Sequence, residues 1–361
     1  MSWPSWLPLC ETLRPLSPYG APQLPAEAVL NTNENPYSPS PALQKAITDA
    51  VAQVAADLNR YPDRDATVLR TKLATYINER SGTDFSLENI WAANGSNEII
   101  QSIFLAFAQG PVLGFIPSYS MHPLIAKTTG AQWIDGKRNL DFSLNTDDAV
   151  TEIIKNKPTL TFITTPNNPT GGAVTIEAIQ KLADAAQSVG GLLVVDEAYA
   201  EFSQEHSAVT LISKNPHVIV IRTMSKAFAF AGVRVGYLVS DEAVKDAMMI
   251  VRLPYHLSAL TQAAAQVAID HRAELLGGVS TLIAARAELV DALHQMGLQT
   301  IPSSANFILF TGFKQDAPQL WAALLEKGVL IRDVGLSGYL RTTIGNEAEN
   351  QLFISALKEL I

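Results

Sequence analysis

The chain holds one cysteine, Cys10, so no disulfide can form within it. That usage fits a reducing compartment, and the cytoplasm is the expected location. No uninterrupted apolar run is long enough to cross a bilayer, so no membrane partner is expected. The first ten residues, Met-Ser-Trp-Pro-Ser-Trp-Leu-Pro-Leu-Cys, lack the basic start and apolar core of a signal peptide. Positive charge is in deficit. The formal net charge is -9, whereas a nucleic-acid partner would want a basic patch. The histidines (His122, His206, His217, His256, His271, His294) show no ligand-like spacing, so no metal site is expected and they read as ordinary surface or helix positions. Internal repeats and low-complexity tracts are also missing.

What is present is a chain of 361 residues, 47% hydrophobic and 17% charged. Such a chain folds, buries a large core and has room for two subdomains. Apolar residues at helical spacing predict helices over 42–58 (Leu43, Ile47, Val51, Val54, Leu58) and 66–80 (Val68, Leu69, Leu73, Tyr76, Ile77). From 90 to about 226, short apolar runs alternate with helical stretches. That pattern predicts an α/β fold, a mostly parallel central sheet with helices on both faces. Residues 237–240 would add the strand that ends this sheet. Residues 257–296 read as linked helices leading to a smaller C-terminal α/β domain with strands at 306–310, 329–332 and 339–344 and a last helix at 350–360. The division expected is an arm (1–36), a large domain (37–260) and a small domain (261–361).

Three strand ends carry chemistry. The first is Thr223-Met-Ser-Lys-Ala-Phe-Ala-Phe-Ala-Gly-Val-Arg-Val-Gly236. Lys226 lies among small and apolar residues, and an amine that attacks a carbonyl must shed its proton through desolvation or a neighbouring cation. Thr223 and Ser225 supply hydroxyls and Arg234 a guanidinium, which together suit a phosphate dianion. A Schiff-base lysine beside a phosphate cup is what pyridoxal phosphate requires. Alone, Lys226 could equally be a surface lysine after an apolar strand. The second is Leu192-Leu-Val-Val-Asp-Glu-Ala-Tyr199, a buried-strand pattern ending in Asp196. Its carboxylate would face the crevice at the strand's end and keep a pyridine nitrogen protonated, and Tyr199 could reach the ring's phenolic oxygen. Asp196 alone could instead cap a helix. The third is Leu160-Thr-Phe-Ile-Thr-Thr-Pro-Asn-Asn-Pro-Thr-Gly171, where Asn168 before a proline offers an amide to the same oxygen. Each motif alone is ordinary, but the three in this order are not.

With these motifs the chain resembles the fold-type-I pyridoxal-phosphate aminotransferases of class II. The segments Leu30-Asn-Thr-Asn-Glu-Asn-Pro36, Leu58-Asn-Arg-Tyr-Pro62, Gly328-Val-Leu-Ile-Arg-Asp333 and Leu340-Arg-Thr-Thr-Ile-Gly345 place the likeness on the histidinol-phosphate branch. The likeness runs from Ser17 to Gly345. It implies Lys226, Asp196 and Tyr199 as catalytic residues, with Asn168, Thr223, Ser225 and Arg234 also holding the cofactor. It adds Ser96 and Asn97 at a helix start as phosphate contacts, although an ordinary helix cap would read the same. Many relatives carry aspartate where this chain has Asn97. Tyr119 would stack on the pyridine face. Tyr61 would reach the cofactor phosphate of a neighbouring subunit, which implies a homodimer.

For the substrate the resemblance implies Arg341, placed in an apolar strand where an unpaired guanidinium is costly. Arg332 is the second clamp, unless it pairs with Asp333. Tyr19, Tyr37, Asn35, Tyr255 and His256 are further contacts. The activity implied is amino transfer between histidinol phosphate and 2-oxoglutarate, giving imidazole-acetol phosphate and glutamate. An aromatic-amino-acid aminotransferase of the same branch and a cofactor-free binding protein on the same fold remain alternatives.

Overall fold

The computed structural model describes residues 3–361. Its strands are, in chain order, β1 (Ala28–Val29), β2 (Ile90–Ala93), β3 (Val112–Ile116), β4 (Trp133–Lys137), β5 (Leu160–Thr164), β6 (Leu192–Asp196), β7 (Val218–Thr223), β8 (Gly236–Val239), β9 (Gln299–Thr300), β10 (Phe307–Thr311), β11 (Val329–Leu330), β12 (Arg332–Asp333) and β13 (Leu340–Thr343).

The apolar runs at β5, β6 and β7 become the middle of a seven-stranded sheet ordered β2-β8-β7-β6-β5-β3-β4. Strands β4, β3, β5, β6 and β7 run parallel. Side chains alternate between faces, as the two-residue period of a strand demands. Leu193 and Val195 of β6 pack on one side with Ile179 and Leu182, and Val194 packs on the other with Ile99 and Ile103. Burial on both faces is why these strands read as continuous hydrophobic runs. Some of the flanking helices start on side-chain caps: Thr175 accepts from the Ala178 N–H, and Asn145 accepts from the N–H groups of Asp147 and Asp148.

Strand β8 departs from the expectation. It lies between β7 and β2, antiparallel to both, and β2 forms the edge. The connection from β7 to β8 carries the Lys226 loop and one short helical turn, Ala231–Val233, not a crossover helix, so the chain returns antiparallel. Val68 also differs, being 53% exposed although its helix (Thr67–Ser81) forms as read.

The second layer is a four-stranded antiparallel sheet ordered β12-β13-β10-β9. Its core gathers Phe307, Phe310, Leu320 and Phe353. The arm belongs partly to this core: β1 pairs parallel with β11, and Ala28 and Leu30 are buried there. The helix Ala259–Asp270 still packs on the large core through Ala264, Ala265 and Ala268. The next helix, Arg272–Gln295, changes sides along its length. Leu275 joins the large core, whereas Val279, Leu282, Leu289 and Leu293 join the small one.

Candidate active site

The carboxyl ends of β5, β6 and β7 open into a cleft of about 550 Å³. Arm residues 31–34 and the β12–β13 region close it from the small-domain side. A crevice outside the carboxyl ends of parallel strands is where open α/β sheets bind ligands.

Lys226 projects into this cleft from the loop after β7, and its Nζ donates to the Thr32 carbonyl at 2.8 Å. Burial, with smaller contributions from Arg341 and Arg234, lowers its pKa to about 8; Glu34 acts in the opposite sense. Among the described residues no carboxylate is hydrogen-bonded to the amine to restore its charge.

Beside it lies a seat for a dianion. The Thr223 hydroxyl donates to Ser225 Oγ at 3.0 Å, and both side chains border the cleft with Ser96, Asn97 and Arg234. The helix Ser96–Phe107 has no side-chain cap, so its first N–H groups are open for an anion. Two glycines make the close approach possible. A Cβ on Gly95, whose φ is +84°, would stand 2.6 Å from Arg234 Nη2. A Cβ on Gly236 would stand 2.5 Å from the Ser96 nitrogen. Any side chain at either position would push the guanidinium or the helix start out of place.

Asp196 ends β6, 2% exposed. Its Oδ1 accepts from the Ala198 N–H at 3.2 Å, and its Oδ2 meets His122 Nε2 at 3.1 Å. His122 is a helix position, as expected, but at 1% exposure it is buried and not an ordinary surface histidine. It comes from the helix Met121–Thr129, which follows Tyr119. Nothing in the spacing between positions 122 and 196 announces the pairing, because only the fold brings the helix that follows β3 over the end of β6, with β5 between the two strands. The Tyr119 ring stands edge-on to His122 with centroids 5.4 Å apart, and its hydroxyl donates to Asn97 Oδ1 at 3.1 Å. Burial pushes the Tyr119 phenol well up, so it stays neutral.

On the far wall the Tyr199 hydroxyl accepts from Asn33 Nδ2 at 2.9 Å and from Asn168 Nδ2 at 3.3 Å. Desolvation raises its pKa. Arg341 of β13 donates through Nη1 to Asn168 Oδ1 and through Nη2 to the Asn31 carbonyl at 2.8 Å, and it lies over the Phe307 ring at 5.1 Å. Its Nε is buried with no partner. Burial, then the like charge of Arg332, lowers its pKa to about 10, and among the described residues no carboxylate is hydrogen-bonded to it. A guanidinium so placed is short of an anion. Arg332 and Asp333 both border the cleft; Asp333 Oδ1 accepts from the Gly335 N–H.

Tyr19 lines the cleft of its own chain and accepts from Ser120 Oγ at 3.1 Å. Five other expected contacts, Tyr61, Tyr255, Tyr37, Asn35 and His256, do not border the cleft within one chain. Tyr61 is 79% exposed and stacks on Tyr255, centroids 4.4 Å apart. Tyr37 is exposed, and Asn35 donates to the Ala227 carbonyl at 3.5 Å and accepts from the Tyr37 N–H at 3.0 Å. His256 donates to the Ala92 carbonyl. Conversely, Asn31, Thr32, Asn33 and Glu34 line the cleft although only Asn35 of that segment is expected to border it. The arm's buried Ala28 and Leu30, with polar residues following, are the signal that places them there.

Comparison with known proteins agrees with this geometry. A model of the family "aminotransferase class I and II" matches residues 27–357. A histidinol-phosphate aminotransferase from Mycobacterium sp. (strain JLS) is 53% identical over 359 residues, covering 98% of this chain and 94% of that protein. One from Mycolicibacterium smegmatis is 52% identical over 358 residues, covering 98% and 93%. The crystal structure of a histidinol-phosphate aminotransferase from Sinorhizobium meliloti in complex with pyridoxal-5'-phosphate superposes with a TM-score of 0.81 at 25% identity, over 93% of this chain and 91% of that one. A match over most of the length, with the lysine, acid, tyrosine and arginines assembled in one cleft, makes the chain a member of the class I and II aminotransferases.

Proposed function

We propose that the protein moves an amino group from L-histidinol phosphate to 2-oxoglutarate, giving imidazole-acetol phosphate and glutamate, with pyridoxal phosphate as cofactor. One observation carries this reading. A lysine brought to about pH 8 and an arginine lacking an anion face the same cleft, in a chain 53% identical to a histidinol-phosphate aminotransferase.

The residues fit the cofactor. The cradle that a Cβ on Gly95 would fill, with Ser96, Asn97, Thr223, Ser225 and Arg234 around it, suits a phosphate. Asp196 would hold the proton of a pyridine nitrogen, and Tyr199 and Asn168 would bond the phenolic oxygen. Tyr119 would cover one ring face. When bound, pyridoxal phosphate supplies an aldehyde for amines and a ring that withdraws electrons from the substrate carbon. Lys226 Nζ, neutral and shielded from water, removes the hydrogen from the amine-bearing carbon of the substrate. His122 fixes the orientation of the Asp196 carboxylate through its ring nitrogen. Arg341, with Arg332 beside it, takes the phosphate of histidinol phosphate and, in the second half-reaction, a carboxylate of 2-oxoglutarate.

The acid side of the pH profile follows from Lys226. Its neutral fraction dominates above about pH 8 and falls roughly tenfold for each unit below. The rate at which apoprotein captures pyridoxal phosphate should therefore rise with pH and level off above 8. A rate still climbing toward pH 10 would mean the amine keeps its ordinary pKa. Gly95→Ala should weaken cofactor binding by about 10-fold or more, since a Cβ forces the Arg234 guanidinium away and the left-handed backbone resists alanine. A fluorescence titration of apoprotein measures it, and wild-type affinity would mean the guanidinium does not reach the phosphate.

The active form we propose is a cytoplasmic homodimer in which Tyr61 reaches the partner's cofactor phosphate. The exposed Tyr61–Tyr255 stack, next along the chain to Leu253 at 73% exposure, supports a covered face. Among the described residues no helix is long and apolar enough to cross a membrane. The test of the substrate is a panel of amino donors with 2-oxoglutarate. Histidinol phosphate should have the highest kcat/KM; a preference for phenylalanine would assign the chain to the aromatic-amino-acid enzymes instead.

A further inference from the structure

The Tyr199 hydroxyl has two acceptor positions and one hydrogen. Asn33 and Asn168 each donate an amide hydrogen to it, which occupies both acceptor positions. Its own hydrogen then has only the cleft to point into. Both amides are held in the donating orientation by the same strand. Asn168 Oδ1 takes a hydrogen from Arg341, which leaves its Nδ2 to face Tyr199. Asn33 Oδ1 takes the hydrogen of the Thr343 hydroxyl at 3.2 Å, which leaves its Nδ2 to face Tyr199. Arg341 and Thr343 are two apart on β13 and so share a face.

The Asn33 backbone is fixed as firmly. Its N–H donates to Thr343 Oγ1 at 2.9 Å, and its carbonyl accepts from Asn306 Nδ2 at 3.0 Å. The residue is 1% exposed and sits at φ +57°, a left-handed conformation that asparagine tolerates and most residues do not. A buried asparagine in a left-handed conformation, bonded through its N–H, its carbonyl and its Oδ1 and with Nδ2 on the Tyr199 hydroxyl, has a task beyond packing.

We propose that Asn33 is a positioning residue, held by Thr343, that aims the Tyr199 hydrogen at the phenolic oxygen of the bound cofactor. The inference rests on the proposed cofactor and deepens that reading. The other groups acting on the Tyr199 hydroxyl are Arg341 of β13 and Asp196 of β6, with Tyr119 facing it from the loop after β3. All three stay in place in the variants below.

The readout is the pH midpoint of the visible absorbance of protein loaded with pyridoxal phosphate. A hydrogen aimed at a phenolic oxygen stabilises its charged form, so losing the aim favours protonation and the midpoint rises. Asn33→Gly removes the amide while suiting the left-handed backbone. It should raise the midpoint by about half to one pH unit, an ordinary size for one lost hydrogen bond. In a Tyr199→Phe background the same substitution should give no further shift. Thr343→Val should shift the midpoint in the same direction, and Thr343→Ser, which keeps the hydroxyl, should restore it. These two keep the test alive should Asn33→Gly fold poorly. An unchanged midpoint in Asn33→Gly and Thr343→Val, or an equal shift with and without the tyrosine hydroxyl, overturns the proposal. Wild-type protein that gains no visible band with pyridoxal phosphate would sink the cofactor reading itself, a separate outcome.

Discussion

Lys226→Ala should lose transamination by about 10⁴-fold, the upper range for removing a group that both takes and gives a proton. Burial brings the pKa of this amine in the cleft down to about 8. Arg341 stays protonated at working pH, and Tyr119 and Tyr199 are pushed up by burial. No neighbour can take over its task. The fold should survive, because the amine has one hydrogen-bond partner, the Thr32 carbonyl at the cleft wall. Pyridoxal phosphate should still bind without a covalent link, since the phosphate seat and Asp196 are untouched. Turnover measured beside a circular-dichroism spectrum checks both halves. Turnover near wild type in a folded variant would remove Lys226 from the mechanism.

Arg341→Ala should cost about 10²- to 10³-fold in both half-reactions, in line with truncating one partner of a buried charged pair. Two effects add. The substrate anion loses its fork, and the Asn168 carbonyl oxygen loses the donor that orients it. The second effect reaches Tyr199, because Asn168 is then free to turn its amide away. Arg341→Lys should recover only part, since an ammonium restores charge but not the two-pronged geometry. Single-turnover rates with histidinol phosphate and, separately, with 2-oxoglutarate on the aminated enzyme measure the loss. A 2-oxoglutarate half-reaction at wild-type rate would mean the two substrates do not share this arginine.

The residues that could be read from the chain sit at strand ends. Asn168, Asp196 and Lys226 each follow an apolar run, and a strand end in a parallel sheet has one place to point. The order of the runs therefore carried the cleft with it. His122 and Asn33 were hidden for a physical reason. Each acts on a partner far along the chain, Asp196 or Tyr199, and only tertiary packing brings them within hydrogen-bond distance. The arm illustrates this most plainly. Its Pro-rich stretch has no periodicity, yet β1 joins β11 across almost the whole sequence because Ala28 and Leu30 complete the small-domain core. The exposed Tyr61 and Tyr255 are the converse case. Their motif is legible, but one chain gives them only each other to stack on.

One amine, Lys226 Nζ, is expected to react with the cofactor aldehyde. Loading the protein with pyridoxal phosphate, reducing with borohydride and mapping the peptides tests it most directly. A single pyridoxyl label, on Lys226, is the expected result. A label on another lysine, or none after saturation with cofactor, would contradict it.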